Sequence, residues 1–240
     1  MTRRMNARVA GATYLLYIAV AFPGMVLFDR ATSGNGMAAK LANIARHASD
    51  MRVDVACSLA SCFAALVLAV TLYAITRDVD PDLAMLALTC RVGEGVLGGI
   101  SLVASLGLLW LATATGADAP DVAAAHVLAA FLLKVPGWNV AIAATFFAVG
   151  STLFSWLLLR GRIVPLPLAW LGVFASILGV IAVPAPLVGF RFLTGPAEWF
   201  IWLPLLVFEV TLALWLIVKG ARVPANRHTL PAAAAGSTGS

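Results

Sequence analysis

Residues 83–111, LAMLALTCRVGEGVLGGISLVASLGLLWL, make one apolar run long enough to cross a bilayer, for which about 20 residues suffice. Comparable runs recur at about 9–27, 53–75, 138–159, 166–188 and 199–218. A bilayer core offers no water to backbone N–H and C=O groups, so runs of this length must satisfy them internally as helices. The expected fold is therefore an all-α membrane protein, a bundle of about six transmembrane helices with one or two short interfacial helices. Composition agrees: 62% of residues are apolar and 11% charged, against about half and about a quarter in soluble domains. Six spans with short links consume most of the 240 residues, which leaves no room for a soluble domain. Residues 1–220 read as a single transmembrane helical domain. Residues 221–240, ending AAAAGSTGS, read as a low-complexity, disordered cytoplasmic tail.

The links carry their own signals. A basic start followed by an apolar core resembles a cleaved leader, but the core runs from Val9 to Leu27, so an uncleaved first span is expected. After it, Met37, Leu41 and Ile44 sit at helical spacing in a polar link, which predicts a short interfacial helix. Gly34-Asn35-Gly36 before it is a turn signal and no phosphate cradle, since no strand precedes it. Asp54 opens the second span beside Arg52 and reads as a carboxylate favoured by the helix N-terminus. The tight link TRDVDPD joins the second and third spans as a hairpin, with Pro81 in the next helix's first turn. Residues 123–133 are apolar but too short to span, and Lys134 and Pro136 follow them. They are expected to be interfacial, re-entrant or a broken extension of the fourth span. Pro184 and Pro186 should loosen the end of the fifth span. Trp110, Trp138, Trp170, Trp199 and Trp202 lie near span ends, as an aromatic belt requires.

Basic residues set the orientation. With the N-terminus inside, the inner segments hold Arg3, Arg4, Arg8, Arg77, Arg160, Arg162, Lys219, Arg222 and Arg227. The outer segments hold Arg30, Lys40, Arg46, Arg52, Lys134 and Arg191. The bias is moderate and places both termini in the cytoplasm. A net charge of +5 with no basic block argues for membrane orientation and against nucleic-acid binding.

The residues that break the apolar pattern are Arg91 and Glu94 in the third span and Glu209 in the sixth. Charges at such depth cost about 2.5–3.5 kcal/mol each on insertion scales, so they face protein or a polar cavity. Arg91 and Glu94 are three residues apart and share a helix face. Arg91 lies about 12 Å, and Glu209 about 13–14 Å, from the inner ends of their spans at 1.5 Å per residue. The two spans run antiparallel, so the opposite charges fall at one level. Gly93, Gly95, Gly98 and Gly99 beside them, with a G-x-x-x-G from Gly95 to Gly99, predict close helix packing.

Several chemistries are excluded by what the spans lack. His47, His126 and His228 all lie outside them, so bis-histidine haem and serine catalysis with a histidine base have no support. No H-E-x-x-H or other metal-ligand cluster occurs, and no metal or cofactor is expected. Lys134 sits at a span boundary and is unsuited to a Schiff base within a helix. Cys57, Cys62 and Cys90 fall inside spans without a C-x-x-C, as small buried apolar residues do. An enzyme is the weakest class, and no catalytic residue is assigned.

Taken along the chain, the sequence resembles a bacterial membrane family named only as domain of unknown function 4386. The residues that carry the resemblance are Arg8-Val9-Ala10-Gly11 with Tyr14-Leu15-Leu16, Leu72-Tyr73, Arg91 with Glu94, Phe146-Phe147, Trp170-Leu171-Gly172, Glu209, and the run from Ala213 to Gly220. The resemblance implies about six helices, a bacterial cell membrane and no particular activity. Members of that family often carry a histidine shortly after the paired phenylalanines. Here the segment reads AVGSTLFSW, so any role for that imidazole does not carry over.

Two readings of Arg91, Glu94 and Glu209 follow. In one they line a site where a small solute or proton binds or passes, with Pro204 breaking the sixth span beside it. In the other they are an ion-pair network that fixes helix register in a structural or accessory protein. Two acids share one buried base, which leaves one carboxylate to be protonated or paired otherwise, and that surplus favours the first reading. Apart from the lipid bilayer, partners and oligomeric state are left open.

Overall fold

The computed structural model describes residues 2–116, 119–190 and 199–222. Among these, eight α-helices occur: α1 (Arg3–Ala31), α2 (Met37–Arg46), α3 (Ala48–Thr76), α4 (Pro81–Thr113), α5 (Val122–Leu132), α6 (Val135–Arg160), α7 (Leu166–Ala182) and α8 (Trp199–Val218). No strand is present among the described residues. Six helical runs are long and apolar enough to cross a membrane: α1, α3, α4, α5 with α6, α7 with the 3-10 turn Ala185–Val188, and α8. Arg191, Arg227, His228 and nearly all of the tail lie outside the described residues.

Each long helix packs on its neighbour in sequence, and α8 returns against α1, so α1, α3, α4, α6, α7 and α8 close a ring. One end of the ring carries the N-terminus, the α3–α4 and α6–α7 links and the C-terminal end of α8. The far end carries α2, α5 and the 3-10 turn. Large apolar side chains point outward around it, Val103 69% and Phe200 74% exposed among them. Patches of that extent suit hydrocarbon and not water.

The half of the ring nearer the N-terminus is filled. Ala7, Ala10 and Tyr14 of α1 pack there with Leu68, Leu72 and Ile75 of α3, Phe154 and Leu158 of α6, and Leu212 and Leu216 of α8. Lipid tails are as apolar as leucine, so this packing draws on close contact more than on water exclusion. Gly11 makes such contact possible: a Cβ there would lie 2.5 Å from the carbonyl oxygen of Ala213 on α8. Two buried threonines bond back into their own helix, Thr71 donating to Val67 O and Thr76 to Leu72 O, which removes an otherwise unmet donor. The rim at this end is knit by charge. Arg3 pairs with Asp78 at 3.3 Å and donates to the carbonyl of Ile75 in the last turn of α3. Arg160 pairs with Asp80 at 3.0 Å. Asp80 also caps α4 by accepting from Leu83 N, and Pro81 follows at the first helical position, as the link predicts.

At the far end, Gly34 and Gly36 adopt positive φ in the turn before α2. Asn43 of α2 donates to the carbonyls of Arg30 and Ala31, which closes the end of α1. Ile44 is fully buried among Ala31, Met51, Leu108 and the α5 alanines Ala125 and Ala129. Of the readings open for 123–133, the broken extension of the fourth span fits the geometry. Only Leu133 and Lys134 separate α5 from α6, both keep helical dihedrals, and Lys134 N bonds to Phe131 O in a tightened turn. One expectation is corrected. Pro204 does not break the last span: α8 runs unbroken from Trp199 to Val218 with Pro204 inside. The proline falls early in the helix, where its missing donor costs a single bond to the carbonyl four residues back.

Candidate functional site

Arg91 is ten residues into α4, about 15 Å along it, and Glu209 is nine residues from the end of α8, about 13–14 Å. The ring brings both to one level, with Glu94 a turn further on. Arg91 is wholly buried; Glu94 and Glu209 are 6% and 7% exposed. The guanidinium needs room for its stem, and Gly150 on α6 supplies it. A Cβ at Gly150 would sit 3.1 Å from Arg91 Cγ and 3.2 Å from the carbonyl of Ala87.

The pairing differs from what matched depth alone suggests. Arg91 Nη1 lies 2.9 Å from Glu94 Oε2, and no ion pair within 4.0 Å joins Arg91 to Glu209. Three-residue spacing on one helix brings Glu94 to the base without help from tertiary structure. Tyr17 of α1 donates from its hydroxyl to Glu94 Oε1 at 3.0 Å, while Oε2 faces Arg91 Nη1 as an ion pair, and neither Oε2 nor the guanidinium nitrogens make a hydrogen bond among the described residues. The guanidinium also stacks over the ring of Phe147, 4.8 Å from its centroid. The surplus carboxylate is therefore Glu209. Its Oε1 is buried with no hydrogen-bond partner among the described residues.

Above this level, on the far side, the ring is not filled. A cavity of about 650 Å³ is lined by the far halves of α1, α3, α4, α6 and α8. Its lining includes Tyr17, Phe28, Asp54, Ser58, Ser61, Cys62, Glu94, Ser101, Ser105, Asn139, Phe147, Trp199, Trp202 and Glu209. Glu94 and Glu209 form its deep end, and the apolar core continues beneath. That volume falls within the range of about 300–1,000 Å³ usual for small-molecule sites.

Asp54 is the residue that sequence reading misplaced. The second span begins at Ala48, so the acid in its first turn is Asp50, which faces Arg30 at 3.8 Å. Asp54 lies a turn deeper, is buried, and accepts from Ser105 of α4 at 3.2 Å and from Ser58 at 3.4 Å. Asn139 of α6 was also passed over. It donates to Ser101 Oγ at 2.8 Å and to Leu97 O at 2.9 Å, tying α6 to α4 across the cavity wall. A signal existed for Asp54 and for Asn139's partner helix: on α3 Asp54, Ser58 and Ser61, and on α4 Glu94, Ser101 and Ser105, recur at helical spacing as polar stripes in apolar runs. Of the cysteines only Cys62 lines the cavity, and all three are free. His47 and His126 lie away from it, the former bonded to Asn43 O at the α2–α3 junction. Among the described residues no three His, Cys, Asp or Glu side chains gather closely enough to share a metal ion.

Neither curated proteins nor solved structures give a match to this chain. A family model does, over residues 9–220, and so spans the whole ring. This is a multi-pass membrane protein, and it belongs to the family described as Domain of unknown function (DUF4386).

Proposed function

We propose that the protein binds a small solute in the intramembrane cavity, with Glu209 as the group that meets it. Arg91, Glu94 and Tyr17 act as the fixed base of the site. The observation that carries this reading is the Glu209 carboxylate, set in the cavity wall with an unpartnered buried oxygen. Buried polar atoms are nearly always satisfied, so each exception calls for an explanation. A role in packing alone accounts for Glu94, which binds α1 through Tyr17. It does not account for Glu209, which makes no hydrogen bond or ion pair among the described residues. The same carboxyl is also the group able to exchange a proton with a solute or with the aqueous phase. We further infer a bacterial cell membrane with both termini cytoplasmic, an orientation the basic-residue bias supports and in which the cavity faces outward.

Aqueous access tests the reading. In a variant that keeps Cys62 but carries Cys57→Ser and Cys90→Ser, a hydrophilic methanethiosulfonate should modify Cys62 in proteoliposomes. Glu209→Gln in that background should leave the melting temperature unchanged or higher, because it removes an unpaired buried charge. An inert Cys62 would defeat the binding reading, and a large drop in stability on Glu209→Gln would return Glu209 to a packing role.

A further inference from the structure

We infer that the cavity selects cations, and that its solute is a small organic cation carrying an apolar or aromatic body. This rests on the binding role proposed above and names the chemistry of its ligand.

Charge comes first. The described lining holds three carboxylates, Asp54, Glu94 and Glu209, and no lysine, arginine or histidine. The one base at this depth, Arg91, is withheld from the cavity. It is wholly buried, Nη1 faces Glu94 Oε2, and the guanidinium lies over the Phe147 ring. Arg91 pairs directly with Glu94 and acts on Glu209 only from beyond ion-pair distance, so the deep end keeps an excess of one carboxylate. In a site walled by protein and lipid, such a charge is weakly screened and demands a counter-charge. The unpartnered Oε1 of Glu209, more than nine-tenths buried and in the cavity wall, is where that counter-charge would dock.

The walls then decide the kind of cation. A bare metal ion wants several oxygen ligands converging on one point; Glu94 and Glu209 share the deep end, but Asp54 is remote, and among the described residues no three acid, His or Cys side chains gather. Ser105, which holds Asp54, is eleven residues beyond Glu94 on α4, about 16 Å along the helix. Between the two levels the lining is chiefly apolar and aromatic, with Phe22 and Trp202 among it. Aromatic faces attract organic ammonium groups and also bury their hydrocarbon parts. Asp54 thus draws a cation in from the far end, and Glu209 holds it at the deep end.

Cys62, on the lining between these acids, reports on both steps. In the single-cysteine protein, modification by a trimethylammonium methanethiosulfonate should outpace a sulfonate methanethiosulfonate by about tenfold or more, once each rate is normalised to a free thiol in solution. Asp54→Asn with Glu209→Gln should bring the ratio to within about twofold of unity, while Glu209→Asp should keep it high. Benzyltrimethylammonium should protect Cys62, and benzenesulfonate should not. Equal normalised rates, or protection by both compounds, overturn cation selectivity while leaving an accessible cavity. A cationic preference without protection by benzyltrimethylammonium overturns the organic ligand. A Cys62 inert to both reagents instead defeats the binding reading itself.

Discussion

Arg91 meets its counter-charge within its own helix, and that arrangement fixes which variants should hurt. Arg91→Gln leaves Glu94 with Tyr17 alone and sets two buried acids near one another. Removing one partner of a buried pair costs about 3–5 kcal/mol, because the other charge stays desolvated. Adding Glu94→Gln to Arg91→Gln should restore much of that loss. The coupling between Arg91 and Glu94 should exceed the coupling between Arg91 and Glu209, which make no ion pair. Two double-mutant cycles, read by unfolding in detergent, measure both. Equal coupling energies would mean that Arg91 divides its charge between the two acids. The importance of these three residues is legible in the sequence, since a charge within an apolar run admits few explanations. Which acid pairs with the base is not, because depth along two helices says nothing of rotation about their axes.

Helices α1 and α8 close the ring through a glycine whose role no spacing motif announces. Gly11→Ala would place a methyl against the Ala213 carbonyl and the Ile217 side chain, and overpacking of that kind typically costs about 1–3 kcal/mol. Gly99 has nothing within 4 Å of an added Cβ, so Gly99→Ala should be neutral or slightly stabilising through its better helix propensity. Thermal unfolding of the two variants side by side checks the contrast. Equal losses would mean that α1 does not lean on α8 at Gly11. The G-x-x-x-G from Gly95 to Gly99 shows why motif reading goes only part of the way. Gly95 does bring α4 onto α3, with a would-be Cβ 3.1 Å from Cys62 O, while Gly99 faces open space. The six spans are readable because length and hydropathy are properties of each helix alone. The start of α3 is not, since the mixed segment 48–52, ASDMR, is helical there with Met51 and Ile44 packed against α4 and α5. That early start is what moves Asp54 from a helix cap to the cavity wall.

The bundle as a whole is asymmetric, packed toward the N-terminus and hollow toward the far end, so its orientation decides which compartment the cavity serves. Among the described residues the packed end carries Arg3, Arg4, Arg8, Arg77, Arg160, Arg162, Lys219 and Arg222, and the hollow end Arg30, Lys40, Arg46, Arg52 and Lys134. Arg3 and Arg160 are paired with Asp78 and Asp80, but orientation follows basic residues in short loops and depends little on nearby acids. The packed end should therefore be cytoplasmic. Alkaline phosphatase fused after residue 120 should be active and, fused after residue 162, inactive. A cysteine in place of Ala124, exposed on α5 at the hollow end, should react with an impermeant reagent added outside intact cells. The reverse result in both assays would turn the bundle over. Glu209 would then face solutes on the cytoplasmic side, and cations would have to reach it from within.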